Sequence, residues 1–98
     1  MKTDPINGVF TTFFGNTPRI RMLQYVLLWE EFEWQPSDLI RSAKTSKKNA
    51  YDYIKFLKRR DYITIEKRRG KTYYKLNKKK APMKLMLKLY DSLLDEVW

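Results

Sequence analysis

The fold is decided by residues 46–63, which read SKKNAYDYIKFLKRRDYI. Ser46 is a favourable residue at which to begin a helix, because its hydroxyl accepts a hydrogen bond from an amide of the first turn. Apolar side chains then recur every three or four positions, as they do on the buried face of a helix. The pattern predicts a helix over residues 47–60 whose inward side chains are Ala50, Ile54 and Leu57, widened by Tyr53 and Phe56.

A shorter helix is predicted just before this one, over residues 36–43. Pro36 suits the first turn, and Leu39, Ile40 and Ala43 supply inward side chains. The connection between the two helices is too short to do anything but turn sharply. Helices joined in this way form a helix-turn-helix unit, in which the second helix enters the major groove of DNA.

A β-hairpin is predicted directly after the helix-turn-helix unit. Residues 62–66 and 72–76 are rich in β-forming side chains, and a turn that contains glycine, residues 67–71, joins them. Tyr73 and Tyr74 would point to opposite faces of the hairpin, so one of the two is expected in the core.

Positive charge is concentrated in the same part of the chain. Residues 41–80 contain 16 lysines and arginines against three acids, a net charge of +13, whereas residues 1–40 sum to −2 and residues 81–98 to −1. A positive face of this kind attracts polyanions and gains affinity by releasing their counterions. Double-stranded DNA is therefore the predicted partner.

The flanking segments complete a single predicted domain. Residues 1–16 form an irregular arm with a phenylalanine-rich run, and residues 32–34 alternate like a short strand. Between them, Thr17 and Pro18 begin a helix that fades near residues 29–31. Its inward side chains would be Ile20, Leu23 and Leu27, with Arg19, Arg21 and Gln24 on the other face.

The composition argues against an enzyme. The chain has no histidine and no cysteine, which removes the usual general base and the commonest metal ligands. A paired-acid mechanism needs a pocket that so small a unit hardly provides, although four carboxylates cluster at Glu30, Glu31, Glu33 and Asp38. We expect no cofactor and no metal, and no small-molecule ligand is evident from the sequence. No apolar run resembles a signal peptide or a membrane span, so a cytoplasmic, nucleoid-associated protein is expected.

The order helix, short strand, helix, turn, helix and hairpin resembles the winged helix-turn-helix family of DNA-binding regulators. The resemblance covers about residues 17–77, is most specific over residues 46–63, and at residues 14–19 looks like the archaeal branch. Lys44 and Asp61 stand where many members have glycine, and aspartate tolerates the left-handed conformation. The resemblance implies a three-helix core with a two-stranded wing, which is an α+β, mainly α fold. The predicted arm (1–16) and a basic linker with a C-terminal dimerisation helix (78–98) flank this domain.

The predicted DNA-binding residues lie on the turn, on the exposed face of the 47–60 helix and at the tip of the wing. Lys48 suits a guanine edge or a phosphate, and the amide of Asn49 can pair with adenine. Asp52 is expected to orient a neighbouring cation or to accept from cytosine. Wing arginines would reach the minor groove or the backbone. The predicted set is Lys44, Thr45, Ser46, Lys47, Lys48, Asn49, Tyr51, Asp52, Lys55, Arg59, Arg68, Arg69 and Lys71.

The last helix, which begins at Pro82, is predicted to join two copies of the chain. Its apolar seam is heptad-like and broad for a short helix, although the same seam could pack on the first helix of its own chain. A homodimer would match two half-sites one helical turn apart. The predicted dimerisation residues are Met83, Met86, Tyr90, Leu93, Leu94 and Val97.

Three roles are compatible with the basic face. A dimeric transcriptional regulator is favoured. A partition-site or replication-origin protein of a plasmid, virus or chromosome would use the same contacts and spread along DNA. A winged-helix interaction module would instead bind an acidic protein. The cations also have a simpler interpretation, as a solvated helix face and as charges that keep the hairpin edge from pairing.

Overall fold

The order of helices and strands follows the predicted one, with one more helix at the beginning. The computed structural model describes residues 8–97, and the side chains of residues 8–96. Residues 1–7 of the predicted arm and the side chain of Val97 therefore lie outside the described residues. The elements are α1 (Val9–Phe14), α2 (Pro18–Leu28), α3 (Pro36–Ala43), α4 (Lys47–Arg59), β1 (Ile63–Arg68), β2 (Lys71–Leu76) and α5 (Ala81–Val97).

Side-chain caps fix the beginnings of two of the central helices. Thr17 Oγ1 accepts a hydrogen bond from the Ile20 amide over 3.2 Å at the start of α2. Ser46 Oγ accepts from the Asn49 amide over 3.1 Å at the start of α4. Each such cap contributes about 1 kcal/mol. The 47–60 helix is present as predicted, and ends one residue earlier, at Arg59.

Two non-glycine residues in the left-handed conformation make the sharp turns on either side of α4. Lys44 (φ 49°) ends α3, and Asp61 (φ 60°) leads into β1. Hydrogen bonds hold both turns: the Thr45 amide donates to Ile40 O over 3.2 Å, and Asn77 Nδ2 donates to Asp61 O over 2.8 Å. The turns therefore form at the two positions where the family often has glycine.

β1 and β2 form the predicted antiparallel wing. The register pairs Ile63 with Leu76 at the base and Arg68 with Lys71 at the tip. Both residues of the connecting turn, Arg69 (φ 51°) and Gly70 (φ 76°), have positive φ, as a tight two-residue hairpin requires. Compared with the predicted strands, β1 reaches two residues further toward the tip and β2 reaches one residue further.

Segment 32–34 contributes one bridge rather than a strand. The amides and carbonyls of Trp34 and Tyr74 exchange two hydrogen bonds of 2.8 Å, so Trp34 lies against the outer edge of β2. Tyr74 is buried and Tyr73 is half-buried, in agreement with the expected split between the two tyrosines. The contact fixes the wing to the helical core.

The core lies between α2, α3 and α4. The predicted inward residues of α4 are buried, and Tyr53 joins them with 4% of its surface exposed. Fully burying a Leu-sized side chain contributes about 1.5–3 kcal/mol. On α2 the buried face is rotated from the prediction: Ile20 and Leu23 are half-buried, whereas Gln24, expected on the outer face, is 1% exposed.

Residues 9–14, predicted as part of an irregular arm, form the short helix α1, with Val9 and Phe10 fully buried. Gln24 explains the difference. Its Oε1 accepts hydrogen bonds from the amides of Phe10 (2.6 Å) and Thr11 (3.3 Å), which supplies α1 with the acceptor that its own N-terminus lacks. A Cβ on Gly8 would lie 2.1 Å from the Gln24 amide, so this close approach requires glycine.

α5 packs on α1 and α2 of its own chain. Met83 and Tyr90 are each 3% exposed, and the Tyr90 ring meets Phe10 edge to face at 5.4 Å. The prediction that these two residues belong to a seam between subunits is therefore wrong, because their own chain covers them. Leu85 and Leu89, which were not predicted, face outward. Among the helices in residues 8–97, none is long and apolar enough to cross a membrane.

Candidate nucleic-acid interface

The outward face of α4 carries a row of charged side chains. Because the inward side chains are buried, helical geometry places Lys48, Asp52, Lys55 and Arg59 along the opposite side at spacings of four, three and four. All four are exposed, as are Lys47, Asn49 and Tyr51. The structure thus brings the predicted α4 residues onto one accessible surface, which we call the α4 face.

An ion pair lies in the middle of the α4 face. Lys48 Nζ contacts Asp52 Oδ2 at 2.9 Å, one helical turn away. The hydrogen bond between the two side chains lowers the pKa of Asp52 and raises the pKa of Lys48. Both side chains are open to solvent, so a phosphate or a base edge can compete with Asp52 for the lysine.

Asn49 lies at the flank of the α4 face, next to the turn. Its Nδ2 donates to Thr45 Oγ1 over 3.2 Å, and its amide donates to the cap oxygen of Ser46. Thr45 and Ser46, two predicted contact residues, therefore shape the N-terminal end of α4.

Arg21 holds the turn between α3 and α4 in place. Its Nε donates to Ala43 O over 2.6 Å, and one terminal nitrogen donates to Lys44 O over 3.2 Å. A second terminal nitrogen donates to Asn16 Oδ1 over 2.8 Å. The sequence placed Arg21 on a solvated face; an isolated arginine carries no signal of a bond to a carbonyl 22 residues away.

In the wing, Arg68 and Arg69 differ in their contacts with acidic side chains. Arg68 donates two hydrogen bonds to Glu33, of 2.6 and 3.3 Å, and forms an ion pair with Glu66 at 3.4 Å. Its guanidinium carbon lies 4.4 Å from the ring centroid of Tyr73. The bond from Arg68 lowers the pKa of Glu33. Arg69 has no ion pair among the described residues. A cleft of about 420 Å³ at the tip is lined by Arg68, Arg69, Lys71 and Tyr73.

The acidic segment before α3 neutralises part of the basic surface. Besides the Glu33 bond to Arg68, Glu31 accepts from Lys78, and Glu30 lies 4.0 Å from the same lysine. The clustered carboxylates thus bind cations of the wing and of the linker, which sequence spacing did not predict. Among the residues that the structure describes, no group of three or more acidic side chains is placed to hold a metal ion.

Most of the predicted DNA-binding cations carry no such partner. Lys48 pairs with Asp52, and Arg68 pairs with Glu33 and Glu66. Within the described part of the chain, the remaining six have no carboxylate within ion-pair distance: Lys44, Lys47, Lys55, Arg59, Arg69 and Lys71. These cations on α4, its turn and the wing are available to a polyanion.

The fold is similar to that of a known regulator. The crystal structure of the transcriptional regulator HlyU from Vibrio vulnificus CMCP6 matches this chain with a TM-score of 0.61 and 26% identity over 74% of each chain. No protein-family model and no curated protein matches the chain. The likeness supports a winged-helix regulator and gives no support to the archaeal branch.

Proposed function

We propose that the chain is a sequence-specific double-stranded DNA-binding protein that acts as a dimeric transcriptional regulator. The observation that carries the proposal is the α4 face, with its unpaired cations continued at the turn and the wing tip. Helix α4, the second helix of the helix-turn-helix unit, would enter the major groove, and the wing would lie on the minor groove or the backbone.

The two halves of the surface have different tasks in this proposal. Lys55, Arg59, Arg69 and Lys71 bind phosphates, because they are long, exposed cations. Lys48 and Asn49 read base edges once DNA displaces the contacts that they make with Asp52 and Thr45. Positioning and specificity then come from separate side chains.

The dimer is proposed to form through the exposed apolar side chains of α1 and α5. Phe13 and Phe14 are 51% and 53% exposed, and Leu85 is 65% exposed, with Leu89 one turn further along α5. The half-buried members of the predicted seam, Met86, Leu93 and Leu94, lie on the same helix as these two leucines. Large apolar side chains on two packed helices favour burial against a second copy.

Selection of binding sites from a random duplex pool tests the proposal. The wild-type chain should enrich a sequence with two half-sites whose centres lie about 10–10.5 base pairs apart. An Asn49→Ala variant should bind the enriched site less selectively, at a cost of about 1–3 kcal/mol if its contact is bidentate. Lys84→Ala on α5 is the matched control and should select the same site.

Two other results of the selection would favour the alternative functions. A pool that stays random after selection would contradict sequence-specific binding and would leave the interaction-module interpretation. A footprint that extends well beyond one pair of half-sites would replace the regulator with the spreading, partition-type alternative.

A further inference from the structure

Beside the α4 face lies a cavity of about 460 Å³ that is open to solvent and lined by residues of three helices. Its walls are formed by Ile20 and Leu23 of α2, Tyr53 and Phe56 of α4, and Met83 and Met86 of α5. Sites for small organic molecules have volumes of about 300–1,000 Å³ and mostly apolar walls. In size and lining, the cavity suits such a molecule.

The α4 wall of the cavity is aromatic. The rings of Tyr53 and Phe56 are nearly parallel, with an interplanar angle of 14° and centroids 5.9 Å apart. Tyr62 meets Phe56 edge to face at 6.2 Å. Planar aromatic molecules pack well against ring surfaces, in offset or edge-to-face arrangements.

The charge at the cavity is positive and unbalanced. Arg19 lines the cavity, with its guanidinium carbon 4.4 Å from the ring centroid of Phe56 and 5.0 Å from that of Tyr53. Arg60 approaches the same Phe56 ring to 4.3 Å. No carboxylate lines the cavity, and neither arginine forms an ion pair with a described residue, unlike Arg41 and Arg68.

We propose that this cavity binds a small aromatic carboxylate: a planar apolar ring system within the walls, with its carboxylate on Arg19. A guanidinium binds a carboxylate through paired, charge-assisted hydrogen bonds. A neutral ligand would leave that donor set unused, and a cation would be repelled by both arginines. The chemistry of the site therefore selects for one charge and one shape.

The site shares α4 with the proposed DNA-binding surface. Tyr53 is buried, and the half-buried Phe56 lies next to the row, four residues after Asp52 and three before Arg59. A ligand changes DNA affinity to the extent that it prefers one arrangement of α4 over another. That regulatory consequence rests on the proposed function, whereas the ligand site itself does not.

Calorimetric titration of the full chain, without DNA, tests the site with two probes of nearly equal shape. These are 2-naphthoate and its neutral counterpart, 2-naphthamide. We expect one 2-naphthoate per chain, bound at least about tenfold more tightly than the amide, as a charge-assisted pair implies. In an Arg19→Gln variant, the preference for the anion should fall to less than about twofold, whereas Arg41→Gln, a change of the same kind on α3, should keep it.

A second pair of variants tests the location. Met86→Trp fills the cavity and should abolish binding, whereas Lys88→Trp, at an exposed position of the same helix, should not. Labelled methionine methyl groups give a measurement on the unmodified chain. The resonances of Met83 and Met86, which line the cavity, should shift with 2-naphthoate, and that of Met22, which lines only the neighbouring cleft, should shift less.

Three results would overturn the inference: equal affinity for the two probes, an anion preference that survives Arg19→Gln, or methyl shifts at Met22 without shifts at Met83 and Met86. Absence of binding at millimolar probe would do the same. Since the titration contains no DNA, each of these results leaves the proposed DNA binding as it was.

Discussion

Arg68 and Arg69 are adjacent in the chain and have different surroundings. Arg68 is bound by Glu33 and packs on Tyr73, whereas Arg69 occupies the tip with a left-handed backbone and no described carboxylate partner. From sequence alone, both arginines are expected to have the same role. Glu33, whose hydrogen bonds distinguish Arg68 from Arg69, lies 35 residues before Arg68 and could not be recognised as its partner. Glu33 thus neutralises one wing cation.

Replacing Glu33 by glutamine should raise the affinity for duplex DNA. The variant no longer holds the Arg68 guanidinium by charge, so the guanidinium can reach a phosphate. One additional phosphate contact should steepen the slope of log affinity against log salt by about 0.9. Fluorescence anisotropy of a labelled duplex measures both quantities. Glu96→Gln, on α5, has the same change in net charge; equal effects of the two variants would contradict a specific release of Arg68.

Tyr25 gives the folded state a dependence on alkaline pH. Its side chain is buried, and burial, followed by the nearby charge of Asp38, raises the pKa of Tyr25 to about 12. In the unfolded chain the tyrosine pKa is about 10, so the stabilising contribution is complete below about pH 10 and is lost as the pH rises through about 12.

Between pH 8 and about pH 11, the free energy of unfolding should therefore fall by about 1 kcal/mol more in the wild type than in a Tyr25→Phe variant. Urea denaturation of both proteins at pH 8 and pH 11 provides the comparison. Lysine titration affects both equally. If the two proteins lost the same free energy, the Tyr25 hydroxyl would be accessible in the folded state.

Among the elements, α4 could be predicted and α1 could not. The cap, inward spacing and left-handed exit of α4 all lie within residues 46–61, so local sequence determines them. Helix α1 has six residues and no side-chain cap of its own; its first amides bond to Gln24 of another helix. The apolar residues of α5 have the same heptad-like spacing whether their own chain or a second copy covers them. Spacing alone therefore could not show that Met83 and Tyr90 are buried within their own chain.

Gln24→Leu should detach the beginning of α1. Leucine has a volume similar to that of glutamine but cannot accept the hydrogen bonds from the amides of Phe10 and Thr11. These two amides would be left buried without that acceptor. Such groups cost about 1–3 kcal/mol. Urea denaturation should show this loss, and hydrogen exchange at these amides should accelerate. Lys58→Leu, an exposed change to the same residue on α4, should leave both unchanged. Phe10 and Thr11 amides that stay protected in Gln24→Leu would refute the role of Gln24.

The molecule as a whole separates a basic surface from an apolar one. The α4 face, its turn and the wing tip carry the unpaired cations, whereas α1 and α5 expose large apolar side chains. Sequence charge predicted the first surface, because the cations lie close together in the chain. The second depends on which side of α5 packs on α1, and this is settled only by the fold.

Leu85→Asp should convert a dimer into a folded monomer. The side chain is 65% exposed in the single chain, so the change introduces a charge into the proposed interface and leaves the core intact. Sedimentation equilibrium should show the wild type at twice the mass of the variant. Ile65→Asp, an exposed aliphatic change on the wing, is the control and should remain dimeric. A monomeric wild type would exclude the α1–α5 interface.

DNA binding itself is tested by the affinity for a duplex as a function of salt. With about 6–10 phosphate contacts, the wild type should lose about 10³–10⁵ in affinity between about 50 and 200 mM salt. The double variant Lys55→Gln, Arg59→Gln should bind more weakly, with a slope lower by about 1.8. Lys84→Gln, Lys88→Gln, which has the same net charge, should resemble the wild type. A flat salt response of the wild type, or an equal loss in the two double variants, would contradict binding through the α4 face.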